Sequence, residues 1–541
     1  MFGKMSNRLG DWEASVSRLK MVMGVALLVP VGAVLAAENL LVNPGFEQST
    51  CPVASNAGQW GWFKDGQIAV AGWRGSGNAG IAKAGNSTWK TAGTGTWTAL
   101  VQRYRPWGAG LNSFIEQTVH LEKRGTYEFS FALAKREGFG PGWVALSVDD
   151  GAATTEVGAV EYREKAYRRV VFRMNLTGGK DYTFRLHALE GIDNDTTALI
   201  DDCVLGFCGV HEPPVKAGTP TLQVTDLFRP HGDPDDHWDL VTQYALAKTG
   251  AIDLKGVIGD FPPTSLASRT KCEPEVTGVA QMNWITSLAV PMGVGQPRRG
   301  MAAQSGFALL KQTLEAAKEP VVIHVVGTCA DVAEAASRWP DLFRTKVRAV
   351  YLNAGAAVES KHLEYNVQLD PKPYADMFKL PCPVYWMPCF QTTGKPGRNG
   401  TYFRFKMSRC FERMRPAMQN FFVGVFERRN PGDWLSSLER PVDEAALAKY
   451  GAMMRNMWCT AGFLHAAGMT VWKDGTIAPL GKEPTKEVFR FIPVDVTCSA
   501  EGRTEWKPST QSNQRFIFQV EDESAYPEAM ARALAEMMFW L

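Results

Sequence analysis

The stretch Thr221–Leu240, TLQVTDLFRPHGDPDDHWDL, decides the fold of the second half of the chain. It begins with an alternating, β-branched run that predicts a strand, turns through Pro230 and Gly232, and continues into an acidic helical segment. In an open α/β sheet, ligands bind at the carboxyl ends of the strands. We therefore expect a functional site at this turn, formed by its four carboxylates, Asp226, Asp233, Asp235 and Asp236.

These carboxylates repel one another unless something neutralises them. A hard cation with oxygen ligands, such as calcium, is the simplest neutraliser. The alternative is that the acids of residues 233–236 only cap the helix, because the N-terminus of a helix favours negative charge. A cap requires one carboxylate and not four, so the cluster favours a cation site.

Length and composition indicate a globular protein with more than one domain. A chain of 541 residues is too long for one ordinary core, and two or three domains are expected. Hydrophobic residues make up 45% of the chain and charged residues 21%. The net charge is only +2 and no long run of Lys and Arg occurs, so the composition does not indicate a nucleic-acid partner. None of the ten cysteines has the Cys-x-x-Cys spacing of a zinc site.

The N-terminus predicts export. The apolar segment Met21–Ala36 follows several basic residues and ends in small residues, which indicates a signal peptide over residues 1–37. The alternative, an uncleaved membrane anchor, is disfavoured because the segment is shorter than the roughly 20 residues that a spanning helix needs. We expect a secreted or periplasmic protein that is free of the membrane after cleavage. The sequence leaves its oligomeric state open.

Residues 38–210 predict an all-β sandwich. Runs of period two are separated by turn residues, as is typical of sandwiches. These runs are Thr126–Ala132, Trp143–Val148, Arg168–Met174 and Tyr182–His187.

The two ends of this domain resemble the first and last strands of jelly-roll carbohydrate-binding modules: Asn39–Glu47, NLLVNPGFE, and Ala198–Leu205, ALIDDCVL. The resemblance implies a polysaccharide partner and a structural calcium between these strands, with Glu47 and Asp202, or Asp201 in its place, as ligands. The alternative is that the acids only mark the ends of paired strands. Sugar rings stack on aromatic faces, so a few of the local tryptophans could bind glycan while most are buried. The candidates are Trp60, Trp62, Trp73, Trp89, Trp97 and Trp107.

Residues 211–220 form a Pro- and Gly-rich linker, and residues 221–541 change pattern. Apolar strand-like runs now alternate with amphipathic helical stretches, which predicts a mostly parallel, Rossmann-like α/β sheet covered on both faces. Residues 391–440 are expected to form an insertion over the carboxyl edge, and Ser524–Leu541 a closing helix. The predicted strands are residues 221–227, 252–259, 321–327, 347–352 and 383–388.

Several segments of this domain, in order, resemble the nucleoside hydrolase superfamily, most closely its divergent members with an Asp-Pro-Asp-Asp turn. Thr225-Asp226 followed by Asp235-Asp236 takes the place of the family's aspartate-rich turn. The segment Val321–Ala336 resembles the family's strand and helix start, where Thr328 and Asp331 also form a capping pair. Leu363–Pro371, LEYNVQLDP, matches the family's Glu-Phe-Asn-x-x-x-Asp-Pro segment.

The resemblance implies a calcium-dependent hydrolase of N-glycosyl or related glycosyl bonds. It implies that Asp226 and Asp236 ligate calcium together with the carbonyl of Val326, and that Asp226 also deprotonates the attacking water. The substrate-binding residues that it implies are Asp235, Asp260, Glu364 and Asn366.

The sequence departs from the family pattern at several positions. Val224 stands where the family has the first aspartate of its turn, and the longer spacing here means that Asp233 could take the place assigned to Asp226. Near the C-terminus, Phe463–Ala467 aligns with the family's His-Asp-Pro. This alignment implies a catalytic role for His465 but puts Ala466 where a calcium ligand should be. The missing ligand could come from Asp233 or Asp239, and His465 could equally be a packed core histidine.

Two functions therefore stay open. The first is a secreted calcium-dependent glycosyl hydrolase, tethered to polysaccharide by its sandwich. The second is a carbohydrate-binding or surface protein whose nucleoside-hydrolase-like domain has lost catalysis. The retained acids favour the first, whereas Val224 and Ala466 favour the second.

Overall fold

The chain divides into two compact units, Met1–Val210 and His211–Leu541. Of the predicted signal peptide, only Leu27–Val29 lies within the described residues, as a short strand. In the described part of the chain, no helix is long and apolar enough to cross a membrane. The computed structural model describes residues 27–29, 38–51, 58–63, 68–89, 95–103, 113–189, 196–229, 234–260, 273–296, 305–358, 360–427, 431–440 and 442–541.

The first unit contains two antiparallel sheets and a two-stranded ribbon. The seven-stranded sheet has the order β1-β12-β9-β14-β7-β6-β3, and the five-stranded sheet has the order β11-β10-β13-β8-β5. The strands are β1 Leu27–Val29, β2 Ser49–Thr50, β3 Trp60–Trp62, β4 Ala69–Val70, β5 Arg74–Ser76, β6 Ala79–Lys83, β7 Trp97–Arg103, β8 Phe114–Leu121, β9 Gly125–Lys135, β10 Gly142–Asp149, β11 Thr154–Tyr162, β12 Arg168–Leu176, β13 Lys180–Ala188 and β14 Thr196–Gly209.

The alternating apolar residues of these strands meet between the two sheets. Phe129 of β9 stacks on Phe184 of β13, with ring centroids 5.6 Å apart, and both rings are fully buried. Large inward rings of this kind exclude water from both sheets and hold them together. The predicted sandwich is confirmed.

The second unit is built on a nine-stranded sheet with the order β19-β17-β15-β20-β21-β23-β31-β29-β30. The strands from β19 to β31 are parallel, and β29 and β30 extend the sheet antiparallel. Its strands are β15 Thr219–Thr225, β17 Ile252–Gly259, β19 Met292–Val294, β20 Val321–Val325, β21 Val347–Leu352, β23 Val384–Trp386, β29 Phe489–Cys498, β30 Thr504–Pro508 and β31 Arg515–Val520. The predicted mostly parallel sheet is confirmed.

Short strand pairs and helices surround this sheet. The short strands are β16 Phe228–Arg229, β18 Glu273–Pro274, β22 Ala356–Val358, β24 Phe390–Thr392, β25 Phe403–Lys406, β26 Met454–Met457, β27 Met469–Val471 and β28 Ile477–Pro479. The helices are α1 Asp235–Lys248, α2 Val276–Thr286, α3 Ser305–Ala316, α4 Ala330–Arg338, α5 Pro340–Lys346, α6 Tyr365–Leu369, α7 Pro371–Met377, α8 Ser408–Phe411, α9 Pro416–Phe426, α10 Glu444–Gly451, α11 Thr460–Ala466 and α12 Tyr526–Met537.

The two faces of the sheet differ in chemistry. One face, which includes Val224, Val325 and Leu352, packs in an apolar core against helices α3, α4, α5 and α7. Residues at the alternate positions form the opposite face, which α1 and α11 cover: Gln223, Thr225, His324, Tyr351 and Tyr385. Because side chains alternate along a strand, Val224 belongs to the apolar face. This placement explains why position 224 is apolar in this chain.

Candidate active site

The predicted site residues meet at the carboxyl edge of the parallel strands. Asp226 follows β15, Asp260 follows β17 and Val326 follows β20. Main-chain hydrogen bonds keep these strand ends level, since the Asp260 N–H donates to the Thr225 carbonyl at 2.8 Å and the Val326 N–H donates to the Val224 carbonyl at 2.8 Å. Residues distant in sequence are thereby fixed at one edge of the sheet.

Asp226 and Asp236 form a hydrogen-bonded carboxyl pair at the centre of this edge. The Thr225 hydroxyl donates to Asp236 at 2.6 Å, which holds the first turn of α1 against β15. Burial raises the pKa of both carboxyls well above the usual range, and neighbouring carboxylates, Asp235 and Asp260 beside Asp226, raise it further. The pair therefore retains a proton near neutral pH or requires a cation. Asp235 and Asp236 lie in the first turn of α1, where the helix dipole favours acids, although the N-cap itself is Pro234 and makes no side-chain capping bond.

A second carboxyl pair, Asp260 and Asp331, lies beside the first. The Thr328 N–H donates to Asp260 at 2.6 Å, and the Gln296 N–H donates to Asp331 at 3.0 Å. Burial raises the pKa of Asp331 to about 6 and that of Asp260 well above its usual range. One Asp260 oxygen, Oδ1, is buried without a hydrogen-bond partner. The predicted Thr328–Asp331 capping pair is wrong, since helix α4 has Cys329 as its N-cap and no side-chain cap.

Gly327 allows these acids to approach each other. A Cβ atom at this position would lie 2.6 Å from the Asp226 nitrogen and 2.7 Å from Asp260 Oδ2. Neither atom can move away without disrupting the strand ends, so a side chain at position 327 would open the site.

A third group, Asp239, Cys459 and Asn353, adjoins Asp236. The Cys459 thiol donates to the Asn353 side-chain oxygen at 2.8 Å and also contacts the Asp239 carboxyl. Burial raises the pKa of Asp239 to about 7, and its Oδ1 has no hydrogen-bond partner. Cys459, which directly precedes helix α11, therefore belongs to the acidic cluster. Sequence reasoning missed this residue, because a single cysteine between a short strand and a helix start has no distinctive pattern.

His465 is half-buried in a group of aromatic rings that includes Tyr351, Tyr385 and Phe491. It follows Cys459 by six positions, which is about 9 Å along a helix. Its Nδ1 is 2.7 Å from the Tyr351 hydroxyl, and its ring packs 4.5 Å from that of Phe491. Burial lowers its pKa to about 4, so the ring is neutral at physiological pH. These contacts are those of a packed structural histidine.

We expect the His465→Phe variant to lose stability but not function. The substitution keeps the ring packing and removes the partner of the buried Tyr351 hydroxyl, which should lower the free energy of unfolding by about 1–3 kcal/mol. Urea unfolding measures this loss. A catalytic role would instead appear as a loss of turnover in the folded variant.

Glu364 and Asn366 lie at the start of helix α6. The Glu364 carboxylate accepts hydrogen bonds from the backbone N–H groups of Gly355, at 2.9 Å, and Asn366, at 3.1 Å. It thus fastens the loop after β21 to the helix. The side-chain oxygen of Asn366 is buried and has no hydrogen-bond partner. Of the two, Asn366 is the one with an acceptor left for a substrate hydroxyl.

We expect Glu364→Ala to lower the free energy of unfolding by about 1–2 kcal/mol, because the helix loses its cap and the buried Gly355 N–H loses its acceptor. Thermal or urea unfolding checks this value. An unchanged stability would show that water replaces the carboxylate at no cost.

In the first unit, Glu47 and Asp201 flank Gly45. Each has an atom 3.8 Å from the position that a Cβ atom would occupy at residue 45. Glu47 also accepts the N–H groups of Thr96 and Trp97 at 2.8 and 3.1 Å. Asp202 turns instead toward Arg169, whose guanidinium nitrogen lies 3.6 Å from its carboxylate.

The candidate glycan-binding tryptophans divide into two groups. Trp73 and Trp97 are buried in the sandwich core, whereas Trp60 and Trp62 pack edge-on around Trp89. Trp107 lies outside the described residues.

Carboxylates and main-chain carbonyls, the donors at the second-unit site, are ligand types that calcium accepts, but the described residues form no ready-made cage for it. Among the residues that the structure describes, no three His, Cys, Asp or Glu side chains converge as a metal site. Asp233 lies outside those residues. Calcium accepts about six to eight oxygen ligands, including carbonyls and waters, so two carboxylates and the Val326 carbonyl can supply part of its shell.

No protein-family model and no curated protein matches the sequence. Among solved structures, the inosine-uridine preferring nucleoside hydrolase from Bacillus anthracis is 12% identical, with a TM-score of 0.31, over 59% of this chain and 100% of that chain. A purine-preferring ribonucleoside hydrolase from Gardnerella vaginalis is 11% identical, with a TM-score of 0.33, over 59% and 99%. The carbohydrate-binding module TmCBM61, solved with β-1,4-galactotriose, is 22% identical, with a TM-score of 0.21, over 31% and 98%. The two units of the chain, a β-sandwich followed by an α/β unit, have the predicted two-part architecture. Carbohydrate-binding modules and nucleoside hydrolases are among the solved structures that are similar to its parts.

Proposed function

We propose that the second unit is a calcium-dependent hydrolase of N-glycosyl or related glycosyl bonds. The observation that carries this proposal is the buried Asp226–Asp236 carboxyl pair at the carboxyl edge of the parallel strands. Burying carboxylates together costs stability, and an arrangement of this kind is retained where the charges serve a ligand or a reaction.

Each residue has a role in this proposal. Bound calcium would balance the carboxylates and lower the pKa of a coordinated water. Asp226 and Asp236 would hold the ion with the Val326 carbonyl, and Asp226 would accept the proton of the attacking water. Asp235, Asp260 and Asn366 would accept hydrogen bonds from sugar hydroxyls.

The first unit would hold the enzyme on a polysaccharide outside the cytoplasm. Its resemblance to carbohydrate-binding modules supports this role, as does the cluster of Trp60, Trp62 and Trp89. Glu47 and Asp201 would share a structural calcium. Pull-down of the full chain on insoluble glycans tests the tether, and failure on every glycan tried would leave the sandwich with a structural role.

Calcium titration of the full chain tests the hydrolase. We expect calcium to bind and to raise the midpoint of thermal unfolding, and the Asp236→Ala variant to lose most of both effects. The Glu47→Ala variant is the control for a calcium site in the sandwich. This variant should leave the calcium effect on the second unit intact. No binding at millimolar calcium, with Asp236→Ala indistinguishable from the parent, would remove the proposal.

One observation favours the second function, a carbohydrate-binding protein without catalysis. Asp226 pairs with Asp236, and Asp260 pairs with Asp331, so each pair could share a proton without a metal ion. This function would be supported if the chain binds sugars, does not bind calcium, and releases no free sugar or leaving group.

A further inference from the structure

The first residue of the second unit, His211, is fastened to the C-terminal end of the chain. Its ring stacks on that of Phe539, with the ring centroids 4.0 Å apart and an angle of 16° between the planes. Its Nδ1 lies 2.6 Å from Glu536 Oε1 on helix α12. A carboxylate only accepts hydrogen bonds, so His211 donates from Nδ1 to Glu536.

Arg413 completes this group of side chains. Its guanidinium lies 3.3 Å from the second oxygen of Glu536, Oε2, and 5.1 Å from the centroid of the Phe539 ring. The Glu536 carboxylate therefore has two donors, and the arginine among them is always charged. We name His211, Arg413, Glu536 and Phe539 the linker clamp.

The linker clamp lies where the chain leaves the sandwich. Val210 is the last residue of the first unit, and residues 211–220 lead from the clamp into β15. The far end of this linker is held as well, because the Gly218 N–H donates to the Gly250 carbonyl at 3.0 Å. The clamp therefore fixes the start of the linker to the second unit.

His211 is the member of the clamp that changes charge near physiological pH. Histidine is ordinarily half-protonated near pH 6.5, whereas arginine and glutamate keep their charges between about pH 5 and 8. The His211 side chain is 14% exposed and that of Glu536 is 28% exposed, so protons reach the pair from solvent. Protonation converts a hydrogen bond from a neutral ring into an ion pair, and it gives the Phe539 ring face a cation to attract.

The charged groups around His211 act on its imidazolium in both directions. Glu536 attracts it by direct contact, whereas Arg413 repels it from the other side of the same carboxylate. The linker itself adds one charge of each sign, Glu212 and Lys216, which pair with each other at 3.1 Å. Because Coulomb energy falls with distance, the contact with Glu536 is the strongest of these effects.

We propose that the linker clamp is a pH-sensitive fastening of the linker between the two units, which tightens when His211 is protonated and loosens when its ring is neutral. Ion pairs nearby do not share this property. Arg409 and Glu528, 2.9 Å apart, both stay charged over the same pH range. The proposal depends on contacts within the second unit and not on hydrolysis or on calcium.

Limited proteolysis of the full chain by papain, at pH 5.5 and at pH 8, tests the clamp. Mass spectrometry identifies cleavage within residues 211–218, where Lys216 is exposed. Each variant's cleavage rate is divided by that of the parent at the same pH, which cancels the pH dependence of the protease. His211→Phe keeps the ring stack and removes the charge, and Glu536→Gln removes the carboxylate. Glu528→Gln, on the same helix, is the matched control.

At pH 5.5 we expect the linker to be cleaved roughly threefold to tenfold faster in His211→Phe and in Glu536→Gln than in the parent, because cleavage follows the population of the open linker. At pH 8 the difference should be no more than about twofold, since the neutral ring forms no ion pair. Glu528→Gln should match the parent at both pH values.

The proposal is overturned if both clamp variants are cleaved at the parental rate at pH 5.5. It is also overturned if their relative rates are the same at the two pH values, which would indicate a contact that protonation does not strengthen. Circular dichroism at each pH checks that the variants are folded. If His211→Phe does not fold, the more conservative Glu536→Gln carries the test.

Discussion

The Asp226→Asn variant is expected to lower the turnover number for glycosyl hydrolysis by about 10² to 10⁴-fold, the range typical of losing a general base. Asparagine preserves the size of the side chain and one oxygen that can contact a cation, but it cannot accept a proton from water. Repulsion from both Asp235 and Asp260 acts on the Asp226 carboxyl, so Asp226 lies in a region of negative potential. We expect the loss to fall on turnover more than on substrate affinity.

Nucleoside and oligosaccharide hydrolysis, followed by release of reducing sugar at saturating calcium, measures this effect. The matched control is Asp341→Asn, the same change at a carboxylate on helix α5 whose side chain is 86% exposed. It should retain parental turnover. If Asp226→Asn also retained it, Asp226 would not be the base, and Asp233 would be the next residue to replace.

Local periodicity was sufficient to predict the parallel strands. The predicted runs 252–259 and 347–352 coincide with β17 and β21, because each alternates or stays apolar up to a polar residue at the strand end. The pairing of the aspartate turn with the strand before it was also predictable, since Thr225 and Asp236 are only 11 positions apart.

Contacts between distant segments could not be predicted in this way. Asn353 and Cys459 are 106 positions apart, and nothing local in either segment marks them as partners. The antiparallel extension by β29 and β30 was missed, because Pro493 interrupts a run that would otherwise predict a strand. The pairing of Asp331 with Asp260 was missed, because Asp331 lies near a helix start and was interpreted as a capping residue together with Thr328.

The Asp239→Asn variant is expected to be more stable than the parent at pH 8 and no more stable at pH 4, when both are measured without calcium. Burial raises the pKa of Asp239 to about 7 from 3.8, so the folded state keeps a proton that the unfolded state releases. The stability that this proton provides is complete below about pH 4 and is lost as the pH rises to about 7.

Asparagine imitates the protonated acid at every pH. At pH 8 it should therefore recover up to about 4 kcal/mol in the free energy of unfolding, because one pKa unit corresponds to about 1.4 kcal/mol. Urea unfolding of parent and variant at both pH values measures this gain in stability. An equal gain at pH 4 and pH 8 would refute the burial argument.

Calcium adds a second test at Asp239. If this carboxylate supplies the ligand that Ala466 cannot, saturating calcium will stabilise the parent at pH 8 and abolish the advantage of asparagine, since the ion then neutralises the buried negative charge.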